Sequence, residues 1–267
     1  GGAGAAVGAF LAGADLLLQP ADPFAALDSL TNAYADGRIT PARLDRSVRR
    51  ILQLKERFGL FQRRTVEVER IPEVVGRLEF KAEAADLMRR AVVLARDAGG
   101  TVDSLRRGGR RSLTVVTYGD ENSTAVGNAL AAELRAQGVG VSLFKLWGNS
   151  GPASYDSARV ALARNGVPVF VASVRTSSGR GTIALPDAWA QFADSVAKAR
   201  PAVLISLGSP YVVQQVPDAG SYLLGWTPNA MMEQAMARAL AGSAPITGKL
   251  PISIPPLFGI GTGLVRQ

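Results

Sequence analysis

Arg175, Ser177, Ser178 and Arg180 stand close together in the run Arg175-Thr176-Ser177-Ser178-Gly179-Arg180-Gly181-Thr182-Ile183-Ala184-Leu185-Pro186. Two guanidinium groups beside two hydroxyls can grip a hydroxyl-rich or carboxylate-bearing molecule, though an exposed polar loop would read the same way. The run holds no carboxylate and offers no proton-transfer group. The chain as a whole has no histidine and no cysteine. Their absence removes the commonest general base near neutral pH, thiolate metal sites, disulfides and every Ser-His or Cys-His arrangement. Carboxylates, lysine and tyrosine remain as candidate chemical groups.

Other runs are weaker. Gly259-Ile260-Gly261-Thr262-Gly263 has the look of a phosphate-binding loop, yet no helix is expected after it, so no dinucleotide cofactor is indicated. Tyr118-Gly119-Asp120-Glu121-Asn122 offers carboxylates after an expected strand, but with the spacing of an ordinary helix start rather than of metal ligands. No metal site follows from it. Trp147, Trp189 and Trp226 are expected chiefly to pack.

These residues need a frame, and from Ser112 onward the pattern supplies one. Expected strands Leu113–Tyr118, Val141–Leu146, Val167–Val174, Ala202–Leu207 and Ser221–Trp226 alternate with expected helices near 123–136, 155–164, 187–199 and 230–241. Apolar strands alternating with amphipathic helices predict a mostly parallel sheet covered on both faces, a three-layer α/β/α sandwich. With a helix over Phe80–Leu94 and a Gly/Arg-rich loop at Ala98–Arg111, it spans residues 80–267. In that frame Arg175–Arg180 follow a strand at the edge where open α/β sheets bind ligands.

The front of the chain reads differently. Residues 13–20, Gly-Ala-Asp-Leu-Leu-Leu-Gln-Pro, read as a short buried strand. A helix is expected ahead of it over Ala5–Leu11. Asp22-Pro23 and Thr40-Pro41 are start signals for two more helices, closed at Gly37 and Gly59. One strand among three helices cannot hydrogen-bond itself into a sheet, so residues 1–60 must lean on something else. Leu44, Val48, Ile51 and Leu52 form an apolar stripe on the last of these helices, which predicts packing on another surface or self-association. Residues 61–79, charged and broken by Pro72, read as a linker.

Net charge is +8 with a pI near 10.3. The arginines are spread between a helix (Arg43, Arg46, Arg49, Arg50) and a loop (Arg106, Arg107, Arg110, Arg111), with no interleaved aromatics to stack bases, so no nucleic-acid partner is expected. No apolar run reaches the roughly 18 residues of a membrane span.

Several stretches, in order, resemble glycoside hydrolase family 3. Ala12-Gly13-Ala14-Asp15-Leu16-Leu17-Leu18 with Pro20 and Asp22 is similar to the family's last barrel strand. Gly37-Arg38-Ile39, then Leu44 to Lys55 and Gly59-Leu60, resembles the helix that closes the barrel. Leu207-Gly208-Ser209-Pro210-Tyr211, Gln234-Ala235, Ala239-Leu240-Ala241-Gly242 and Gly248-Lys249-Leu250-Pro251-Ile252-Ser253-Ile254-Pro255 resemble the end of the second domain.

The resemblance implies that residues 1–60 are the C-terminal remnant of a (β/α)8 barrel, a domain of about 250 residues. The nucleophilic aspartate would then lie on the preceding barrel strand, upstream of Gly1, and no catalytic residue would be present here. The β-glucosidase branch carries its acid/base as a glutamate in a Gly-Glu-Gly-like loop of the second domain. The matching loop here is 175–186, without a carboxylate. The N-acetylglucosaminidase branch keeps its acid/base on the barrel as a His-Asp dyad, which a histidine-free second domain fits. The implied activity is removal of terminal β-linked N-acetylglucosamine from chitin-type or cell-wall saccharides, as in peptidoglycan recycling, by a retaining mechanism. The substrate is a saccharide, and a bacterial periplasmic or extracellular setting is favoured over the cytoplasm. Gln19 and Asp22 would border the sugar pocket at a barrel strand's C-terminal end, although Asp22 would serve equally as a helix cap. Arg175, Ser177, Ser178 and Arg180 would touch a sugar or a muramyl carboxylate. A β-glucosidase-type fragment and a non-catalytic carbohydrate-binding or scaffolding module stay open beside this reading.

Overall fold

A computed structural model describes residues 2–108, 112–119, 125–164, 166–174 and 183–267, the side chain of Ala3 excepted. The chain divides into two compact units, Gly1–Gly76 and Arg77–Gln267. None of the described helices is long and apolar enough to cross a membrane.

The first unit holds helices α1 (Gly2–Leu11), α2 (Pro23–Ala35), α3 (Pro41–Arg57) and the single turn α4 (Ile71–Val74). Both start signals act as the sequence suggests. Asp22 Oδ1 accepts from the N–H groups of Phe24 and Ala25 at 3.0 and 2.9 Å, and Thr40 Oγ1 accepts from Arg43 N at 3.2 Å. A small apolar cluster of Val7, Phe10, Ala33 and Ile39 joins α1 to α2 and the turn after it.

Polar side chains finish the job. The Arg43 guanidinium donates to the carbonyls of Phe10 and Ala14 at 2.7 and 3.0 Å and lies 4.2 Å above the Phe10 ring. Asp15 accepts from Ser47 Oγ at 2.6 Å and from Arg50 at 3.0 Å. This clamp lies where a buried strand was expected, and the expectation is corrected. No strand forms over residues 13–20; Leu16 and Leu18 are 69% and 92% exposed, and Gln19 adopts φ +49°. The physical reason is the one that made the segment suspect: an extended segment without a neighbouring strand has nowhere to place its ladder hydrogen bonds. Of the apolar stripe expected on α3, Leu44, Val48 and Leu52 are solvent-exposed and Ile51 is half-buried.

The second unit opens with α5 (Leu78–Ala91), after which the helix expected to reach Leu94 gives way to strand β1 (Val93–Asp97). Val92 and Val93 carry two heavy atoms on Cβ and suit the extended backbone better than a helix end. Helix α6 (Thr101–Arg106) then forms inside the expected Gly/Arg loop. Asp97 caps it by accepting from Val102 N and Asp103 N at 3.1 and 3.2 Å.

Thereafter the alternation holds: β2 (Ser112–Gly119), α7 (Asn128–Ala136), β3 (Gly140–Trp147), α8 (Pro152–Ala163), β4 (Val167–Val174), α9 (Asp187–Ala199), β5 (Val203–Gly208), β6 (Ser221–Gly225) and α10 (Ala230–Ala241). The sheet order is β1-β6-β5-β4-β2-β3, with β1 antiparallel to β6 and the other pairs parallel. The chain reverses direction across the sheet between β2 and β4.

Strand side chains divide by the period of two. Phe170 and Ala172 join a core with Trp189 and Phe192 of α9 and Leu162 of α8. Val169 and Val171 face a second core with Leu130 and Leu134 of α7 and Met232, Met236 and Leu240 of α10. The α/β/α sandwich is therefore observed, with helices on both faces of a mostly parallel sheet.

The Asp15 clamp carries a pH dependence. Hydrogen bonds from Ser47 and then Arg50 hold the Asp15 carboxyl below its usual value. A folded-state pKa below the unfolded one adds stability that is complete above about pH 4 and is lost as pH falls through the lowered value. The first unit should therefore loosen on acidification, and Asp15→Asn should weaken it at neutral pH while flattening that acid response. Helical circular dichroism of both forms between neutral and acidic pH checks this; identical profiles would contradict it.

Candidate functional site

Three parallel strands, β4, β5 and β6, end at the same edge of the sheet, beside an open recess of about 590 Å³. Its walls include Val174 at the end of β4, Ser209 and Tyr211 after β5, and Trp226, Thr227 and Asn229 after β6. Ile183 also lines it. This is the carboxyl edge at which open α/β sheets place ligands, beside the reversal between β2 and β4.

Each wall is fixed by a local device. Gly208 has φ +117°, and a Cβ there would lie 2.3 Å from the Val174 carbonyl oxygen. Only glycine allows that approach. The same carbonyl accepts from Ser209 N at 3.0 Å, and the Ser206 hydroxyl donates to the Ser209 carbonyl. Beyond it, residues Pro210–Gln214 form a 3-10 turn that presents Tyr211, 44% exposed, to the recess. Tyr222 holds that turn by donating its hydroxyl to the Pro210 carbonyl at 2.7 Å. Burial pushes the Tyr222 phenol well above its ordinary value, so it stays protonated and keeps donating.

Trp226 donates its indole N–H to the Ala91 carbonyl at 3.0 Å, which fixes the ring while it lines the recess. Asn229 caps α10, its Oδ1 accepting from Met232 N at 2.9 Å. On the far side, Gln215 pairs with Leu185 in both directions, at 2.8 and 3.1 Å, and so anchors the chain where it returns from residues 175–182.

Chemically, the recess offers aromatic and aliphatic surface with hydroxyl, amide and backbone groups. Apolar lining with a few placed polar groups is the general composition of small-molecule sites. Among the described residues, none that lines it is acidic or basic. No group of three or more acidic residues is placed to hold a metal ion among them either. The Gly259–Gly263 run is not followed by a helix; Gly261 N and the Thr262 carbonyl both pair with Leu250.

Of the residues singled out from sequence, Arg175, Ser177, Ser178 and Arg180 lie outside the described residues, as do Asp120, Glu121 and Asn122. Val174 and Ile183, which flank the first group, both line the recess. Gln19 is exposed in a left-handed conformation, and the Asp22 carboxylate is engaged in capping α2. The two lie in one short stretch of the first unit. Trp189 is buried in the core against Phe170 and Tyr118. Sequence reasoning missed Tyr211, Thr227 and Asn229 as site residues; Trp226, expected to pack, does pack against both cores and lines the recess as well. The available signal was positional: Gly208-Ser209-Pro210-Tyr211 and Trp226-Thr227-Pro228-Asn229 each begin at the carboxyl end of a parallel strand.

Comparison with known proteins bears on what such a site serves. The model of the glycosyl hydrolase family 3 C-terminal domain matches residues 36–259. A periplasmic beta-glucosidase/beta-xylosidase from Dickeya chrysanthemi is 40% identical over 81 residues, 30% of this chain and 12% of its own. A beta-N-acetylglucosaminidase/beta-glucosidase from Cellulomonas fimi is 24% identical over 234 residues, 81% of this chain and 40% of its own. Among solved structures, a family 3 beta-N-acetylglucosaminidase from Paenibacillus sp. str. FPU-7 superposes with a TM-score of 0.74 at 20% identity, over 93% of this chain and 47% of that one. The chain thus spans less than half the length of each of these relatives.

The close contact at Gly208 makes a direct prediction. Gly208→Ala would force β5 away from β4 or leave a strained alanine, at a cost of about 1–3 kcal/mol. The second unit should melt several degrees lower, read by differential scanning calorimetry. An unchanged midpoint would show that the approach is not constrained.

Proposed function

We propose that this chain, which belongs to the glycosyl hydrolase family 3 C-terminal domain family, is the C-terminal part of a retaining glycosidase that removes terminal β-linked N-acetylglucosamine from chitin-type or cell-wall saccharides. In this reading residues 1–60 belong to a (β/α)8 barrel that carries the reacting groups, residues 61–79 link it to the sandwich, and the sandwich contributes binding surface. Gln19 and Asp22 would border the sugar pocket, and Arg175, Ser177, Ser178 and Arg180 would contact the saccharide or a muramyl carboxylate.

The observation that carries the division of labour is the recess at the ends of β4, β5 and β6, whose described lining can hold a sugar but has no acid or base. Retaining hydrolysis requires two carboxyl-type groups about 5–5.5 Å apart, or an equivalent pair, across the scissile bond. The segment 175–186, which follows β4 in the chain, has no carboxylate in its sequence. The N-acetylglucosamine preference draws on the carboxylate-free 175–186 sequence and on the Paenibacillus relative's name, while the Cellulomonas relative's name covers both activities. The Dickeya relative's name favours a second reading, a β-glucosidase type, and supports a periplasmic setting that cell fractionation would check.

Alone, the chain should bind N-acetylglucosamine oligosaccharides in the millimolar range by calorimetry and hydrolyse no aryl β-N-acetylglucosaminide. Turnover by the purified chain would overturn the assignment of catalysis to the barrel. In the enzyme that contains this chain, kcat/KM for the N-acetylglucosaminide should exceed that for the glucoside by about tenfold or more; the reverse preference would favour the second reading. Leu44, Val48 and Leu52, each more than a third exposed, should also drive concentration-dependent association of the isolated chain. A monodisperse monomer in sedimentation velocity would contradict that part.

A further inference from the structure

Helix α7 lacks a cap of its own. Gly127 precedes it at φ +81° and provides no side chain, and a Cβ there would stand 2.5 Å from Thr117 Cγ2, so the usual serine or aspartate is barred. The unpaired N–H groups of its first turn are met by another helix. Glu233 of α10 is 4% exposed; its Oε1 accepts from Gly127 N at 2.9 Å, and its Oε2 from Ala129 N and Leu130 N at 3.0 and 3.1 Å. A buried carboxylate persists only where its lone pairs are filled, and here three backbone donors at the positive end of a helix fill them.

Glu233 lies one turn from Asn229. The Asn229 carbonyl accepts from Glu233 N at 3.0 Å, and its side chain caps the same turn at Met232 N. An unbroken chain of contacts therefore runs from Thr227–Asn229 on the wall of the recess, through the first turn of α10 and Glu233, to the start of α7. There it holds the point at which the chain returns after β2. In the sheet, β2 and β6 are separated by β4 and β5. Glu233 thus bridges two strand-end segments that share no strand pairing.

We propose that Glu233 is a positioning residue that locks the segment before α10 and the segment before α7 into one rigid rim, so that ligand affinity at the recess depends on a carboxylate that does not line it. The affinity part rests on the saccharide reading above; the mechanical part does not.

The test is Glu233→Gln, an isosteric change that sets an amide N–H₂ against at least one backbone donor. Hydrogen exchange followed by mass spectrometry should quicken at 127–130 and also at 226–231. Affinity for chitobiose should fall by about fivefold or more with the residues lining the recess unchanged. Faster exchange confined to 127–130, or unchanged affinity in a wild-type chain that binds chitobiose, would overturn the proposal. Should the wild type bind no saccharide, the saccharide reading fails and the exchange pattern alone decides this inference. Asn229→Ala gives the reciprocal arm and covers a Glu233 variant that does not fold. It removes the α10 cap and should quicken exchange at Gly127, Ala129 and Leu130, with which the Asn229 side chain shares no hydrogen bond; unaltered exchange there would sink the coupling.

Discussion

A parallel sheet buried on both faces leaves its strands one outlet for chemistry, their carboxyl ends. In the second unit Val169, Val171, Val203 and Ile205 pack toward α7 and α10, while Phe170, Ala172 and Leu204 pack toward α8 and α9. Side chains committed to two cores cannot also meet a ligand. Function is forced to the rim, where the backbone leaves the sheet and must be re-anchored within a few residues. The arrangement of the recess follows from that constraint. Gly208 lets β5 finish against β4, Tyr222 secures the turn beyond it, and Trp226 and Asn229 begin the next crossing.

Much of this frame was legible in the residues because local and global signals agree. Strand Val167–Val174 and helices Asp187–Ala199 and Ala230–Ala241 fall where apolar periodicity and flanking glycines and prolines place them. The errors have distinct causes. The strand Val93–Asp97 was hidden in the tail of a helical pattern, and it exists because β6 offers it an antiparallel partner more than a hundred residues away. The short helix Thr101–Arg106 depends on a cap from Asp97 and burial of Val102 and Leu105, neither of which a Gly/Arg-rich run advertises. The Ala14–Gln19 segment has strand-like composition, but composition cannot provide a ladder partner.

The site was less legible than the fold. Its walls come from three strand ends, and their proximity is a product of sheet order rather than of spacing. Trp226 and Trp189 are both expected to pack and both do, but Trp226 also lines the recess. One is held at the rim by a hydrogen bond to Ala91, and the other is sunk among Phe170, Phe192 and Tyr118. The Glu233 bridge was equally invisible. A glutamate in the first turn of an amphipathic helix reads as a favourable charge near its own N-terminus, whereas here it serves the neighbouring one.

The two borders of the sheet are protected by different means. Beside β1 the chain's last residues lie alongside, with Leu264 N bonded to the Leu94 carbonyl and Arg266 bridged to Ile246, so that border is roofed by the polypeptide itself. At β3 no further strand pairs among the described residues, and several of its side chains are half-buried. Lys145 sits in the middle of this strand, tethered to Asn128 at 2.7 Å. A lysine on an open border disfavours the addition of a foreign strand, because a strand arriving from another molecule would have to bury the ammonium. One side is thus closed by coverage and the other by charge, which leaves the sandwich able to keep its six strands to itself when many copies are crowded together.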